Sequence, residues 1–189
     1  TRRSSDLFAV CLTYHLPNVF GLTLSADALA RYVHSLGYQV KIITSRVPEQ
    51  MPAREIVDGI EVIRSRPLFR LGKALFMPTY LFDLWRSLDD IAVVNVHLPC
   101  LDAATVAIVA KLRRRKLVIS YISSMSKASP SGRLMRAVAS VPHVIAGLCA
   151  DVVQVVSDDY AERSTFCRLF KSKLKTAPLP IWLKLFPGE

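Results

Sequence analysis

The chain has 189 residues, about half of them apolar and a fifth charged, which suits one large globular domain with a real core and excludes a disordered or fibrous class. No run of 18 apolar residues occurs, so a membrane-spanning helix is not expected, and the net charge of +10 favours polyanionic partners such as nucleic acid, an anionic membrane or phosphorylated ligands. The four cysteines (Cys11, Cys100, Cys149 and Cys167) lack metal-type spacing and sit among apolar residues, so they read as free buried thiols in a reducing compartment.

In chain order, residues 7–13 form an apolar run read as a buried strand. A loop over 14–23 carries His15, Pro17, Asn18 and Gly21. Ser25 has the chemistry of a helix N-cap, and Leu24, Ala28, Leu29, Val33 and Leu36 follow at helical spacing, with Gly37 as the stop. Residues 39–44 read as a second strand, completing a βαβ unit and implying a parallel sheet. Asp58-Gly59 reads as a turn before a short strand over 60–63, and 71–88 as a helix in which Pro78 introduces a bend. Strands are expected over 91–96, 116–122 and 152–156, with a last one near 175–177. Helices are expected over 102–113, over 133–148 with an interruption at Pro142, and over 158–170. Alternating β and α units with apolar strands predict an α/β fold: a doubly wound, mostly parallel, Rossmann-like sheet covered on both faces.

In such a sheet ligands gather beyond the carboxyl ends of the strands, which selects the loops at 14–23, 97–101, 123–132 and 157–160. His15, Asn18 and Gly21 in the first loop offer main-chain N–H groups and a helix start to a phosphate or sugar hydroxyl. His97 follows a strand, where an imidazole suits a hydroxyl partner. Ser123, Ser157 and Tyr160 complete the acceptor-side candidates. The first loop lacks GxGxxG, and no P-loop, nucleophile elbow or metal-spaced cluster occurs, so no cofactor, metal or catalytic residue is assigned. On a helical wheel of 71–88, Phe76 and Tyr80 lie near Lys73 and Arg86. With Phe69 and Arg70 they make a candidate contact with an anionic membrane.

The order of elements resembles the N-terminal domain of GT4 glycosyltransferases of the GT-B fold. The resemblance rests on residues 12–40, with Gly21, Ala28-Leu29-Ala30 and Gly37. It rests also on 90–97, similar to the family's "D.VH.H" strand end, and on Ala150-Asp151 through Ser157, Tyr160 and Ser164 to Lys173, Pro178 and Phe186. The chain departs from the pattern in three places: Leu22 follows Gly21 where a second glycine is usual, Ile122 replaces a histidine, and Pro180 and Trp182 replace the Gly and Asp of "P.G.D". The resemblance implies one half of a retaining, metal-independent transferase. Residues 1–178 form the acceptor-side domain and 179–189 start a linker to a donor-binding domain or subunit, which binds the nucleotide-sugar. It further implies a lipid-linked or glycan acceptor. Without a leader-like start, the chain is expected to be cytoplasmic and peripheral on the inner membrane face, with no nucleic acid partner. The alternative is a non-catalytic GT-B module that binds a membrane or a partner subunit.

Overall fold

The computed structural model describes residues 7–71, 74–122 and 130–178. The order of elements is β1 (Leu7–Cys11), α1 (Gly21–Ser35), β2 (Gln39–Ser45), β3 (Arg54–Val57), β4 (Ile60–Ser65), β5 (Phe69–Leu71), β6 (Ala74–Phe76), α2 (Tyr80–Ser87), β7 (Ile91–Leu98), α3 (Ala103–Leu112), β8 (Lys116–Tyr121), α4 (Pro130–Cys149), β9 (Val152–Val155), α5 (Asp158–Arg163), α6 (Thr165–Leu169) and β10 (Leu174–Thr176). Among the described residues the main sheet runs β10-β9-β8-β7-β1-β2-β4-β3, parallel except for the β3–β4 hairpin at its edge. This is the expected doubly wound α/β architecture.

Two apolar layers hold it. On one face Val10 and Leu12 pack with Val40, Ile42, Ile60 and Val62 under Ala26 and Ala30 of α1. On the other, Val94, Val96, Leu98, Leu117 and Ile119 pack against α2, α3 and the end of α4. Strand side chains alternate between faces, so a parallel sheet buried on both sides reads as the continuous apolar runs seen in the sequence.

Several boundaries differ from expectation. Helix α1 starts at Gly21, one turn before Ser25, whose hydroxyl instead donates to the Gly21 carbonyl at 2.8 Å. Gly37 does end it, with a φ of +91° that suits a residue lacking Cβ. Asp58 and Gly59 both have positive φ, as a two-residue hairpin of the primed type needs, and they join β4 to the exposed edge strand β3, which the sequence did not reveal.

The expected helix over 71–88 is a correction. Residues 69–76 form an antiparallel hairpin, with Phe69 opposite Phe76, and only Tyr80–Ser87 is helical. Leu75 and Met77 are buried while Phe76 and Pro78 are exposed, a period of two rather than 3.6. Pro78, without an N–H, stands before the helix instead of bending it.

Strand β7 runs on through His97 to Leu98. Pro142 does not interrupt α4. The helix over 158–170 is two short helices broken at Ser164, where ψ is 122°; Ser157 and Ser164 each accept a backbone N–H from the turn they cap.

Gly147 in α4 is required by packing. A Cβ there would lie 2.2 Å from the Phe170 ring, which is itself buried. Gly147→Ala is expected to cost about 1–3 kcal/mol, lowering the thermal midpoint by roughly 2–4 °C for each of these. An unchanged midpoint in differential scanning calorimetry would show that the ring yields freely.

Candidate functional site

Strand β1 pairs with β2 on one side and β7 on the other, and the chain connections run in opposite directions from it. The crevice of a doubly wound sheet opens at this reversal, beyond the carboxyl ends of β1 and β7. The loop after β1 and the turn from β7 into α3 therefore meet at one edge, with Cys11 beside Val96 in register.

Within the first loop, His15 is buried and its Nε2 lies 3.3 Å from Oδ1 of Asp27 on α1. Burial raises the Asp27 carboxyl, but hydrogen bonds from His15 and Arg31 outweigh it and hold the group below its ordinary range. Asn18 donates through Nδ2 to the Val47 carbonyl at 2.6 Å, tying the loop to the segment after β2. Gly21 is exposed, and a Cβ built on it meets nothing within 4 Å. Neither sterics nor a positive φ demands glycine there, so the start of α1 is simply left open.

His97 lies inside β7 rather than after it. Its ring is fully buried, neither nitrogen has a partner among the described residues, and burial pushes it down to about 3. Beside it Asn95, Ser120 and Gln154 form a hydrogen-bonded row across β7, β8 and β9. Ser157 and Tyr160 stand at the same edge but past β9, three strands from β1, or about 14 Å at ordinary strand spacing. Ser157 caps α5 through the Tyr160 N–H. Ser123 lies outside the described residues. The expected acceptor residues thus share one edge of the sheet without converging on one point.

Asp102, read in the sequence only as a helix start, is the polar group missed at this edge. It sits at the head of α3 at 9 % exposure, makes no side-chain cap bond, and its Oδ2 has no partner among the described residues. Burial pushes its carboxyl up to about 6. An aspartate before a helix looks like an ordinary cap, so no sequence signal separates the two. Nearby, His143 of α4 accepts the Cys100 N–H at 3.2 Å, and burial pushes it down to about 4. All four thiols are free; burial raises Cys11 and Cys100 to about 12, which makes them poor nucleophiles.

A cavity of about 290 Å³ opens one strand away, between α1 and β4, lined by His15, Asp27, Arg31, Val62 and Arg64 among others. Its charges are paired with one another, Arg64 with Glu55 and Arg31 with Asp27 and Asp58. It does not lie over the β1–β7 crevice, and the strand reversal is the stronger guide to the site.

Of the residues expected to contact a membrane, Phe69, Arg70, Phe76 and Arg86 are exposed, and Lys73 lies outside the described residues. Tyr80 is a correction: it is fully buried, with its hydroxyl donating to the Ile43 carbonyl, and belongs to the core. No described helix is long and apolar enough to cross a membrane.

The model of Glycosyltransferase Family 4 matches residues 20–181, nearly the whole of this sheet and its helices. The chain belongs to glycosyltransferase family 4. This is a retaining family that uses nucleotide-sugar donors. No curated protein matches the sequence significantly. Among solved structures, the chain is similar to Anabaena Alr3699/HepE in complex with UDP-glucose, at 14 % identity and a TM-score of 0.56, covering 90 % of this chain and 43 % of that one. A glycosyltransferase from Rickettsia africae ESF-5 gives 12 %, 0.51, 92 % and 43 %. A UDP-glucose: anthocyanidin 3-O-glucosyltransferase in complex with UDP gives 12 %, 0.52, 96 % and 55 %. The chain therefore spans about half the length of these structures, and its fold is the N-terminal half of a GT-B architecture.

Proposed function

We propose that this family 4 domain is the acceptor-side half of a glycosyltransferase that moves a sugar from a nucleotide-sugar to a lipid-linked or glycan acceptor. The donor is held by a second domain or subunit that closes over the carboxyl edge. The observation that carries this reading is the open edge at the β1–β7 reversal, in a chain that matches half of complete GT-B structures. His15, Asn18 and Gly21 with His97, Ser123, Ser157 and Tyr160 are the acceptor-side set. Within it, His15 and Asn18 hold the first loop in shape, and Gly21 leaves the start of α1 open to a hydroxyl or phosphate. His97 acts from beneath, as a neutral ring. The charge of +10 and the free thiols support a cytoplasmic protein, peripheral on the inner face of an anionic membrane.

A non-catalytic module is the second reading. It draws on the engagement of His15 and Asn18 within the fold and on Ile122, Pro180 and Trp182 standing where the family pattern differs.

Transfer by the native protein separates the two, since a non-catalytic module transfers nothing, and Gly21→Ala tests the acceptor-side set. Open space around Gly21 means the fold should tolerate the methyl group, with stability unchanged or raised by up to about 1 kcal/mol, since alanine is the better helix residue. In a protein carrying the donor half, transfer from a panel of nucleotide-sugars to a lipid extract should fall at least tenfold. Full transfer by a normally folded Gly21→Ala protein would remove the first loop from the acceptor site.

A further inference from the structure

The positive charge of the chain is unevenly placed. Residues 103–188 hold 14 Lys and Arg against four Asp and Glu, an excess of +10 that equals the net charge of the whole chain. No acid occurs between Asp102 and Asp151. In the fold this half supplies β8, β9 and β10, which lie side by side and parallel at one end of the sheet.

The starts of these three strands are tied into one edge. Helix α3 ends before β8, α4 before β9, and α6 with the turn 171–173 before β10. Asp151, at the head of β9, accepts from Lys111 of α3 at 3.0 Å and from the Leu117 N–H of β8 at 2.8 Å. Lys173, at the head of β10, donates to the Gly147 and Leu148 carbonyls of α4 at 3.0 and 2.8 Å. Each helix end leaves a leucine outside: Leu112, Leu148 and Leu169 are 66, 67 and 62 % exposed.

Part of the charge here serves the fold. Lys173 satisfies the carboxyl end of α4, Lys111 and Lys116 share Asp151, and Arg113 pairs with Asp89. Arg114, Arg168 and Lys171 are exposed and make no ion pair among the described residues. Three exposed leucines and three unpaired cations therefore occupy the same edge. Cations alone would suit any polyanion. Aliphatic side chains among them match a lipid surface, with acidic headgroups above and hydrocarbon below. A nucleic acid backbone would take the cations and leave the leucines in water.

We propose that the edge formed by the starts of β8, β9 and β10 is the surface on which this domain rests against an anionic lipid bilayer, with Leu112, Leu148 and Leu169 at headgroup depth and Arg114, Arg168 and Lys171 on the acidic headgroups. It rests on the membrane location proposed above and names the surface that makes the contact. Parallel strands start at the edge opposite the crevice, so lipid contact leaves the carboxyl edge free for a donor half.

The experiment is co-sedimentation of the 189-residue chain with vesicles of neutral phosphatidylcholine, or of phosphatidylcholine with one-third phosphatidylserine, at low and high salt. Binding is expected only to the anionic vesicles, and it should weaken at high salt. Arg114→Asn/Lys171→Gln should lower partitioning about 25-fold, at about fivefold per well-placed cation. Asparagine is chosen because Arg114 has a φ of +54°. Leu112→Gln/Leu148→Gln leaves the charge unchanged and should lower partitioning about tenfold. The control Arg54→Gln/Arg66→Gln removes two charges from exposed residues at the β3–β4 end of the sheet and should stay within about twofold of the native chain. All variants replace exposed residues, and unchanged near-ultraviolet circular dichroism confirms their fold. Full binding by either edge variant, or equal loss in the control, would overturn this surface and leave the membrane location standing. Absence of binding to anionic vesicles would overturn both, and salt-sensitive binding of duplex DNA in its place would assign the cations to nucleic acid. The transfer reading is tested separately, by an assay without vesicle binding as its readout.

Discussion

Acidification from pH 7 to pH 4 is expected to remove roughly 3 kcal/mol of stability, a large share of what a domain of this size has. His97 is fully buried and pushed from 6.5 to about 3, and His143 from 6.5 to about 4. Both are neutral in the fold but become charged in the unfolded chain below 6.5. Their stabilising effect is therefore present above pH 6.5 and is lost as pH falls toward the folded values, on the order of 3 kcal/mol for each ring by pH 4. Asp102 opposes them. Its folded value of about 6 lies above the ordinary 3.8, so acidification through that window returns on the order of 3 kcal/mol. The histidines win because there are two of them. Urea unfolding at pH 7 and pH 4 measures the difference. His97→Leu should keep or raise stability at pH 7, because two unpartnered buried nitrogens disappear, and should abolish the net loss on acidification. A urea midpoint that does not move between the two pH values would contradict the buried, neutral state of both rings.

The second large effect is all-or-none. The isolated chain should show no sugar transfer with any nucleotide-sugar, and transfer should appear when a donor half is joined to it or added beside it. The physical reason is that transfer needs donor and acceptor held together with water excluded, and one sheet edge supplies only one wall of that cleft. The described residues form one eight-stranded sheet beside a two-stranded hairpin. Robust turnover by the 189-residue chain alone, measured by labelled-sugar incorporation into lipid extracts, would sink this assignment.

The fold was largely legible because its strands are apolar on both faces. β1, β2, β7, β8 and β9 stand out as short apolar runs between turn residues, and their alternation with helices gives the parallel sheet. The segment 69–88 was not legible, because Leu71, Leu75, Pro78 and Phe82 satisfy a helical wheel while Leu75, Phe76 and Met77 also satisfy a strand. Pairing between Phe69 and Phe76 decides the matter, and pairing is not local. β3 escaped because it is a four-residue, mostly exposed edge strand in which charged and apolar residues do not alternate.

Sequence placed the candidate loops at the carboxyl edge of the sheet, since that follows from the order of elements. It did not give burial. His97 is expected at a cleft and Tyr80 at a membrane face, yet both side chains are fully buried. Asn18 and Ser157 carry hydrogen bonds that a turn residue and a cap residue make in most folds, so their type alone does not distinguish structure from recognition.

The acceptor-side assignment is tested most directly by equilibrium dialysis of the isolated chain against labelled nucleotide-sugars. The proposed function places the donor in the other half of the cleft, so the expected result is no saturable binding up to millimolar concentrations, with micromolar binding appearing once a donor half is present. Micromolar, saturable binding of a nucleotide-sugar by these 189 residues alone would contradict it.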